Sequence, residues 1–231
     1  CDDACDVMLA AKSGKCNRFP VADCRVFVGR NSCGVRGIKL MDGDEVISMS
    51  ILKHTDATTE QRDEYLRLSS ALKRIEVPEN GDFDEEAVFN GLEPQMSFEE
   101  FKAMRENEQF ILTVTSTGYG KRTSIGEYPE HHRGGQGVFT ITMTDKKGLL
   151  SVMKIVKPND EIMIISEEGV VVRTPVSGIS ELGRSTQGVR VMNVADKDRV
   201  TAVAISSTGK KKRDQKVEGD DADDIDEIEL A

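Results

Sequence analysis

"GYGKRTSIGEYPEHHRGGQGV" (residues 118–138) contains a spacing of glycine and arginine that recurs twice elsewhere in the 231-residue chain. A turn glycine is followed four residues later by an arginine. A second arginine lies fifteen or sixteen residues after the turn glycine, and a Gly-Val pair follows that arginine by four residues. The other two copies begin at Gly14 and Gly169. One supersecondary unit that is repeated three times is therefore the first inference.

Each copy begins with an apolar, β-prone run, such as Ile162–Ile165, just before its turn glycine. Runs on both sides of that glycine predict a hairpin, and "GVRVMNV" and "RVTAVAI" predict a third and a fourth strand. About 50 residues and four strands per unit are typical of propeller blades. The predicted fold class is all-β, with propeller-like repeats of four strands per blade. Three blades do not close a ring, so we expect further repeats upstream.

An insertion separates the first two repeats. The turn glycines of the first and second copies are 104 residues apart, whereas those of the second and third are 51 apart. The predicted organisation is a blade at 1–53, an acidic helical insertion at 54–108, blades at 109–157 and 158–208, and a tail at 209–231.

The insertion contains two signals for helices. Tyr65, Leu68 and Leu72 have the spacing of one helix face, and Ser97 with Glu100 has the pattern of a capping box. A mainly helical structure is predicted. Two interpretations stay open, a solvated decoration of the propeller or a regulatory or partner-binding element.

The net charge of −10 hides a basic body. Residues 54–108 carry a net charge of −9 and residues 214–231 carry −8, so the rest of the chain carries +7. Acidic runs such as the one at the end of the chain favour disorder. The tail either keeps the chain soluble or competes, as a decoy, with an anionic ligand for the basic blades.

A basic side chain at one position of every blade would build a charged belt around the rim. Lysine and arginine neutralise successive phosphates and release counterions, so such a belt binds DNA without reading its bases. The alternative is that these side chains cap turns or pair with acids such as Glu127 and Glu181. The candidate DNA-binding residues are Lys15, Arg18, Arg30, Arg36, Lys121, Arg122, Arg133, Arg173, Arg184 and Arg190.

No catalytic residue and no metal site is predicted. The sequence contains no P-loop, no H-E-x-x-H motif and no nucleophile elbow. His131 and His132 are adjacent, which is a poor spacing for helical metal binding, and no cysteine lies near them. The five cysteines form no C-x-x-C pair, which favours a reduced, cytoplasmic protein. No apolar run is long enough for a membrane span, so no membrane partner is expected.

The stretch at 118–138, with "GRNSCGVRGIKL" and "GRSTQGVRVM", closely resembles the C-terminal domain of the A subunit of bacterial DNA gyrase. The resemblance covers the three repeats, about 140 residues. It implies a β-pinwheel, a propeller-like ring of six blades that exchange strands with their neighbours while DNA wraps around the basic rim. By their order the three repeats would be the last three of the six, and the chain would be a C-terminal fragment.

One motif of that family is present in altered form. Its signature heptapeptide, Gln-(Arg/Lys)-Arg-Gly-Gly-(Arg/Lys)-Gly, normally lies in the first blade. "HHRGGQG" (131–137) retains the arginine and the three glycines, but it has His131 in place of the glutamine and Gln136 in place of the second basic residue. It also lies in what would be the fifth blade. We therefore transfer no role from the signature to this segment.

The resemblance also implies an activity for the parent protein. It would be the DNA-wrapping part of a type II topoisomerase that introduces negative supercoils into closed circular double-stranded DNA with ATP. The family's cleaving tyrosine lies in the N-terminal part of the A subunit, whereas ATP and Mg²⁺ act through the B subunit. This chain would therefore hold neither cofactor nor catalytic residue.

The implied partners are double-stranded DNA, the B subunit of DNA gyrase and the N-terminal part of the A subunit, in an A2B2 heterotetramer. Two alternatives stay open. The first is the C-terminal domain of the A subunit of topoisomerase IV, a decatenating enzyme. The second is a protein-interaction propeller whose acidic insertion forms the contact.

Overall fold

A computed structural model of the chain describes residues 1–75 and 84–206. Within these residues three antiparallel sheets and three α-helices are present. The predicted tail at 209–231 lies outside the described residues, as does the part of the insertion at 76–83. None of the described helices is long and apolar enough to cross a membrane.

The elements follow the order of the three repeats, with the helices between the first and the second. The strands are β1 (Cys5–Ala11), β2 (Lys15–Pro20), β3 (Val46–Lys53), β4 (Phe110–Thr115), β5 (Tyr119–Ser124), β6 (Val138–Phe139), β7 (Leu150–Val156), β8 (Glu161–Ser166), β9 (Val171–Pro175), β10 (Val189–Arg190) and β11 (Val200–Ser206). The helices are α1 (Thr59–Leu72), α2 (Glu85–Gly91) and α3 (Phe98–Glu106).

The sheets exchange their edge strands between repeats. Their orders are β3-β1-β2-β6, β7-β4-β5-β10 and β11-β8-β9. Strand β6 belongs to the second repeat but pairs with β2 of the first, and β10 of the third repeat pairs with β5 of the second. The all-β fold with propeller-like, strand-exchanging repeats is therefore confirmed.

The second and third repeats each supply four strands, as predicted, and the Gly-Val strand of each crosses to the preceding sheet. One detail of the strand prediction is wrong. In the first repeat this segment forms no strand in the described structure, and nearby there is only a bridge between Ile38 and Gly135. The third sheet has three strands in the described part of the chain, whereas each of the other two receives its fourth strand from the following repeat.

The core lies between successive sheets. Strand β7 contacts both β3 and β11, so the side on which these three strands lie is the inner side, while β6 and β10 lie at the opposite, outer edges of their sheets. Strand β4 is buried on both faces: Phe110, Leu112 and Val114 pack toward the third repeat, and Ile111 packs toward the first. A strand between two sheets needs apolar residues on both faces, which explains why "FILTV" does not alternate with polar residues.

The exchanged strands require glycine at the point where they begin. Gly137 (φ +68°) lies against the backbone of β2, so that a Cβ at this position would be 2.2 Å from the carbonyl oxygen of Cys16. Gly188 (φ +73°) has the same place against β5, 2.8 Å from the carbonyl oxygen of Gly120. Both a left-handed backbone and a close strand contact therefore exclude a side chain here.

The described part of the insertion is mainly helical, as predicted. The capping box of Ser97 and Glu100 begins α3, and Thr58 with Gln61 forms another at the start of α1. The helices enclose their own small core, and Leu66 on α1 packs against the second repeat. The buried residues of this core are Tyr65, Leu68, Phe89, Phe98 and Phe101.

We predict that Gly137→Ala destabilises the fold by more than the roughly 1–2 kcal/mol that a left-handed backbone alone costs an L residue, because the new Cβ also meets backbone atoms of β2. Gly169→Ala is the matched control, because Gly169 also has a positive φ (+85°) but no atom lies within 4 Å of a Cβ placed there. Thermal and denaturant unfolding of the two variants measures the difference. Equal stability of the two variants would contradict the tight strand contact.

Candidate nucleic-acid interface

Arg18 is buried, and its guanidinium forms its hydrogen bonds inside the protein. Its Nε donates a hydrogen bond to Oδ2 of Asp6 at 2.8 Å, and its Nη1 donates to the carbonyl oxygen of Tyr128 at 3.2 Å. The Asp6 side chain has no exposed surface, and that of Arg18 is 4% exposed. A buried charge requires such a partner. The prediction that Arg18 contacts DNA does not fit this burial.

Lys121 is buried as well, and its ammonium group holds a loop of the third repeat. The Nζ donates to the carbonyl oxygens of Gly183 (2.6 Å), Arg184 (2.7 Å) and Thr186 (3.1 Å) and contacts the Thr186 hydroxyl at 3.1 Å. Burial lowers the pKa of Lys121 to about 8. Its hydrogen-bonding capacity is used within the protein, so the predicted DNA contact does not fit here either.

Asn17 occupies the equivalent place in the first sheet. Its Nδ2 donates to the carbonyl oxygen of Gly37 at 2.8 Å and to that of His132 at 3.3 Å. We call residues 131–137 and 183–188 the exchange loops, because each leads into an exchanged strand. One polar side chain of the receiving strand therefore holds each exchange loop, Asn17 in β2 and Lys121 in β5.

The arginine shared by the repeats anchors the exchange loop from its other side. Arg133 Nε donates to the carbonyl oxygen of Asp23 at 3.0 Å, and Arg184 Nε donates to that of Glu127 at 3.1 Å. Asp23 and Glu127 each end a 3₁₀ turn of the preceding repeat. Arg184 is half-buried and also bonds the Phe139 carbonyl oxygen at 2.9 Å, whereas Arg133 is exposed. The capping role that the sequence left open is therefore present for both arginines.

A cation and an aromatic ring face each other at the outer edge of both four-stranded sheets. Lys15 in β2 is paired with Phe139 in β6, with its Nζ 5.4 Å from the ring centroid. Tyr119 in β5 is paired with Arg190 in β10, whose guanidinium lies 5.1 Å from the ring centroid and donates to the Tyr119 hydroxyl at 2.9 Å. The two pairs occupy equivalent positions, with the cation and the ring interchanged between the strands.

Two lysines that the sequence reasoning missed extend this edge. Lys147 Nζ lies 4.6 Å from the Tyr119 ring centroid and donates to the Gln187 carbonyl oxygen at 3.2 Å. The hydrogen bond from Arg190, with the nearby charges of Lys147 and Lys146, lowers the pKa of Tyr119. The position after each Gly-Val pair, which holds Arg, Phe and Arg in turn, was a signal for the ring of Phe139 at this edge but not for the two lysines. The outer-edge cluster is Lys15, Tyr119, Phe139, Lys146, Lys147 and Arg190.

The remaining predicted residues differ in whether their charges are paired within the protein. Arg30 and Arg36 are exposed and make no side-chain hydrogen bond or ion pair within the described residues. Arg173 is exposed and paired with Glu161 across β8 and β9. The half-buried Arg122 lies 3.8 Å from a Glu181 oxygen and over the Phe110 ring. Two of these four side chains thus carry charges with no partner in the described part of the chain, whereas the other two lie beside glutamate carboxylates.

Sheets that exchange edge strands, enclose their core between neighbouring repeats and present cations at their outer edges define a β-propeller of the pinwheel type. The sequence matches the family described as DNA gyrase C-terminal domain, beta-propeller, over residues 6–53, 109–157 and 160–207. The chain belongs to this family. The matched segments omit the helical insertion.

Named relatives agree with that assignment. The A subunit of DNA gyrase from Granulibacter bethesdensis is 38% identical over 234 residues, which cover 97% of this chain and 25% of the relative. The A subunit of DNA gyrase from Rickettsia bellii is 38% identical over 205 residues, which cover 89% of this chain and 22% of the relative. The chain thus spans about a quarter of the length of these relatives.

Two solved structures share the fold. The C-terminal domain of a DNA topoisomerase IV superposes with a TM-score of 0.61 at 16% identity, over 89% of this chain and 48% of that one. The E. coli ParC C-terminal domain gives a TM-score of 0.52 at 12% identity, over 89% of this chain and 63% of that one. At such identities the likeness extends to the fold alone, whereas the relatives by sequence carry the gyrase name.

Lys121→Met should destabilise the chain by about 2–3 kcal/mol, because the carbonyl oxygens of the exchange loop at 183–188 lose their buried donor. Lys154→Met is the matched control, since Lys154 is exposed on β7 and its replacement should change stability by less than about 0.5 kcal/mol. Denaturant unfolding and hydrogen exchange of the loop amides measure both variants. Unchanged protection of the loop in Lys121→Met would contradict the holding role.

Proposed function

We propose that this chain is the DNA-wrapping part of the A subunit of a DNA gyrase, and that duplex DNA runs along the outer edges of the sheets. The observation that carries the proposal is the repetition of a cation–aromatic pair at the outermost paired position of two successive sheets. A ligand that follows equivalent positions from blade to blade must itself be long and repetitive, and a phosphate backbone has that form.

The burial of the candidate residues selects those that would meet phosphate. Arg18 and Lys121 have their charges enclosed within the protein, and their part would be to shape the rim rather than to contact DNA. Arg184 is half-buried, so it would both shape the rim and contact DNA. The proposed contacts are Lys15, Arg30, Arg36, Arg133, Lys146, Lys147, Arg173 and Arg190, with lesser contributions from Arg122 and Arg184.

Electrostatics supports a curved path for the DNA. Bending a 20–30 bp segment smoothly through tens of degrees costs on the order of 1–6 kcal/mol. Each phosphate contact releases counterions and increases the magnitude of the salt slope, the fall of log K with log salt, by about 0.9. Cation–aromatic contacts hold the cations of the rim in place before DNA arrives, so less side-chain freedom is lost on binding.

The wider role of the parent protein belongs to the same proposal. The wrapped duplex would be presented to the DNA gate of a type II topoisomerase, which introduces negative supercoils with ATP. The B subunit would supply the ATP and Mg²⁺ chemistry, the N-terminal part of the A subunit would supply the cleaving tyrosine, and the A2B2 assembly would act in the cytoplasm. The gyrase name of the sequence relatives favours supercoiling over the decatenation of topoisomerase IV.

Neutralising the edge cations tests the path of the DNA. Replacing Lys146, Lys147 and Arg190 together with glutamine in the full-length protein should weaken its binding to linear duplex DNA and lower the salt slope by up to about three. Binding isotherms over a series of salt concentrations measure this slope.

The matched control removes three cations of the insertion that lie off the outer edges, the exposed Arg67 and Arg74 and the half-buried Lys102. It should leave the slope within about one of the unmodified value, because only diffuse charge is lost. Equal losses in the two variants would contradict a path along the edges, and an unchanged slope in the first variant would contradict phosphate contact by the cluster.

A further inference from the structure

A histidine and three carboxylates meet where the first repeat leads into the insertion. His54 directly follows β3, Asp6 lies in β1 and Glu130 immediately precedes the exchange loop at 131–137. One ligand atom from each of these three residues lies within 4.8 Å of the others. The three residues are 48 and 76 positions apart in the sequence, so only the fold brings them together.

One nitrogen of the His54 ring faces two carboxylates. Its Nδ1 is 2.8 Å from Oδ1 of Asp6 and 3.6 Å from Oε2 of Glu130. A ring nitrogen carries at most one hydrogen, so it can direct a hydrogen bond at one of these oxygens only. An ion at the centre of the three atoms would instead bind all of them, at the distances of about 2.0–2.2 Å that zinc takes with nitrogen and oxygen ligands.

The surroundings orient these three groups as the second layer of a metal site does. The other ring nitrogen of His54, Nε2, lies 3.3 Å from Oδ1 of Asp56, which forms the carboxylate–histidine arrangement common beside bound metals. Arg18 binds the second oxygen of Asp6, with Nε at 2.8 Å and Nη2 at 2.6 Å. Asp6 is thereby fixed with its Oδ1 toward His54.

The charges of the cluster leave room for a cation. The groups that face His54 are Asp6, Asp56, Glu130 and, beyond Asp6, Arg18. Three carboxylates and one guanidinium sum to −2 when the imidazole is neutral. Asp56 is fully exposed and is therefore screened by solvent, whereas Asp6 has no exposed surface and Glu130 is 39% exposed, so the charge of the two carboxylates that face Nδ1 is screened only in part.

We propose that Asp6, His54 and Glu130 bind one divalent transition-metal ion of the Zn²⁺ type. One imidazole and two carboxylates form a mixed ligand set that suits zinc and its first-row neighbours better than the all-oxygen sites of Mg²⁺ or Ca²⁺. Asp56 and Arg18 position the ligands without touching the ion. The site joins β1, the end of β3 and the start of an exchange loop, so binding stabilises the contact between the first two repeats by mass action.

Metal titrations of the full-length protein test the site. After treatment with a chelator, Zn²⁺ is titrated by calorimetry and Co²⁺ by its visible absorption. The unmodified protein should bind one ion more than His54→Gln, and Glu130→Gln should lower the affinity at least tenfold. Asp56→Asn should lower it 10- to 100-fold, as losses of outer ligands do.

The matched control is His131→Gln with His132→Gln, which removes the other two histidines of the chain and should leave the binding unchanged. Glu130 is 39% exposed, so its variant keeps the test valid if His54→Gln fails to fold, and thermal unfolding in chelator checks both. The proposal is overturned by equal stoichiometry in all variants, by loss of the ion in the control, or by thiolate absorption that assigns the ion to cysteines.

Discussion

The pairing of each exchanged strand with the preceding repeat is the interaction on which the rest of the structure depends. Strands β6 and β10 are two residues long, so their ladder hydrogen bonds alone are few. Hydrogen bonds to the exchange loops add to these few ladder bonds. Asn17 and Lys121 donate to loop carbonyl oxygens from the receiving strand. Arg133 and Arg184, within the loops, donate to carbonyl oxygens of the 3₁₀ turn in the preceding repeat. Because each repeat completes its neighbour, the repeats fold as an array rather than as separate units.

The same exchange makes the rim a composite surface. Lys15 and Phe139, or Tyr119 and Arg190, come from different repeats and meet only because a strand has crossed. A cation on either strand gives the same outer-edge charge, which explains how the positions of cation and ring can be interchanged between successive sheets. The basic character of the rim is thus a property of the pair and not of one sequence position.

The spacing of glycine and arginine, with the β-prone runs around it, was sufficient to predict the repeat and the propeller-like all-β class, because turns and close strand contacts admit few residue types. The exchange of strands between blades was implied only by the resemblance to the gyrase family. The spacing could not tell which of the arginines at one register position are buried and which are exposed. Arg18 faces a buried carboxylate and is buried with it, whereas Arg173 is exposed, and the partner is known only once β1 and β2 are in register. The burial of Lys121 could not be predicted for the same reason, since its partners are carbonyl oxygens 62 to 65 residues away. The His54 cluster likewise depends on contacts that no local pattern encodes.

Ligation of nicked circular DNA in the presence of the full-length protein tests the central claim most directly, since it measures wrapping rather than affinity. If DNA follows the outer edges, the ligated circles will retain supercoils of one sign, and their number will fall when Lys146, Lys147 and Arg190 are replaced by glutamine but not when the insertion cations are replaced. Circles that close with no change in linking number, at protein concentrations that saturate the DNA, would contradict a DNA-wrapping rim.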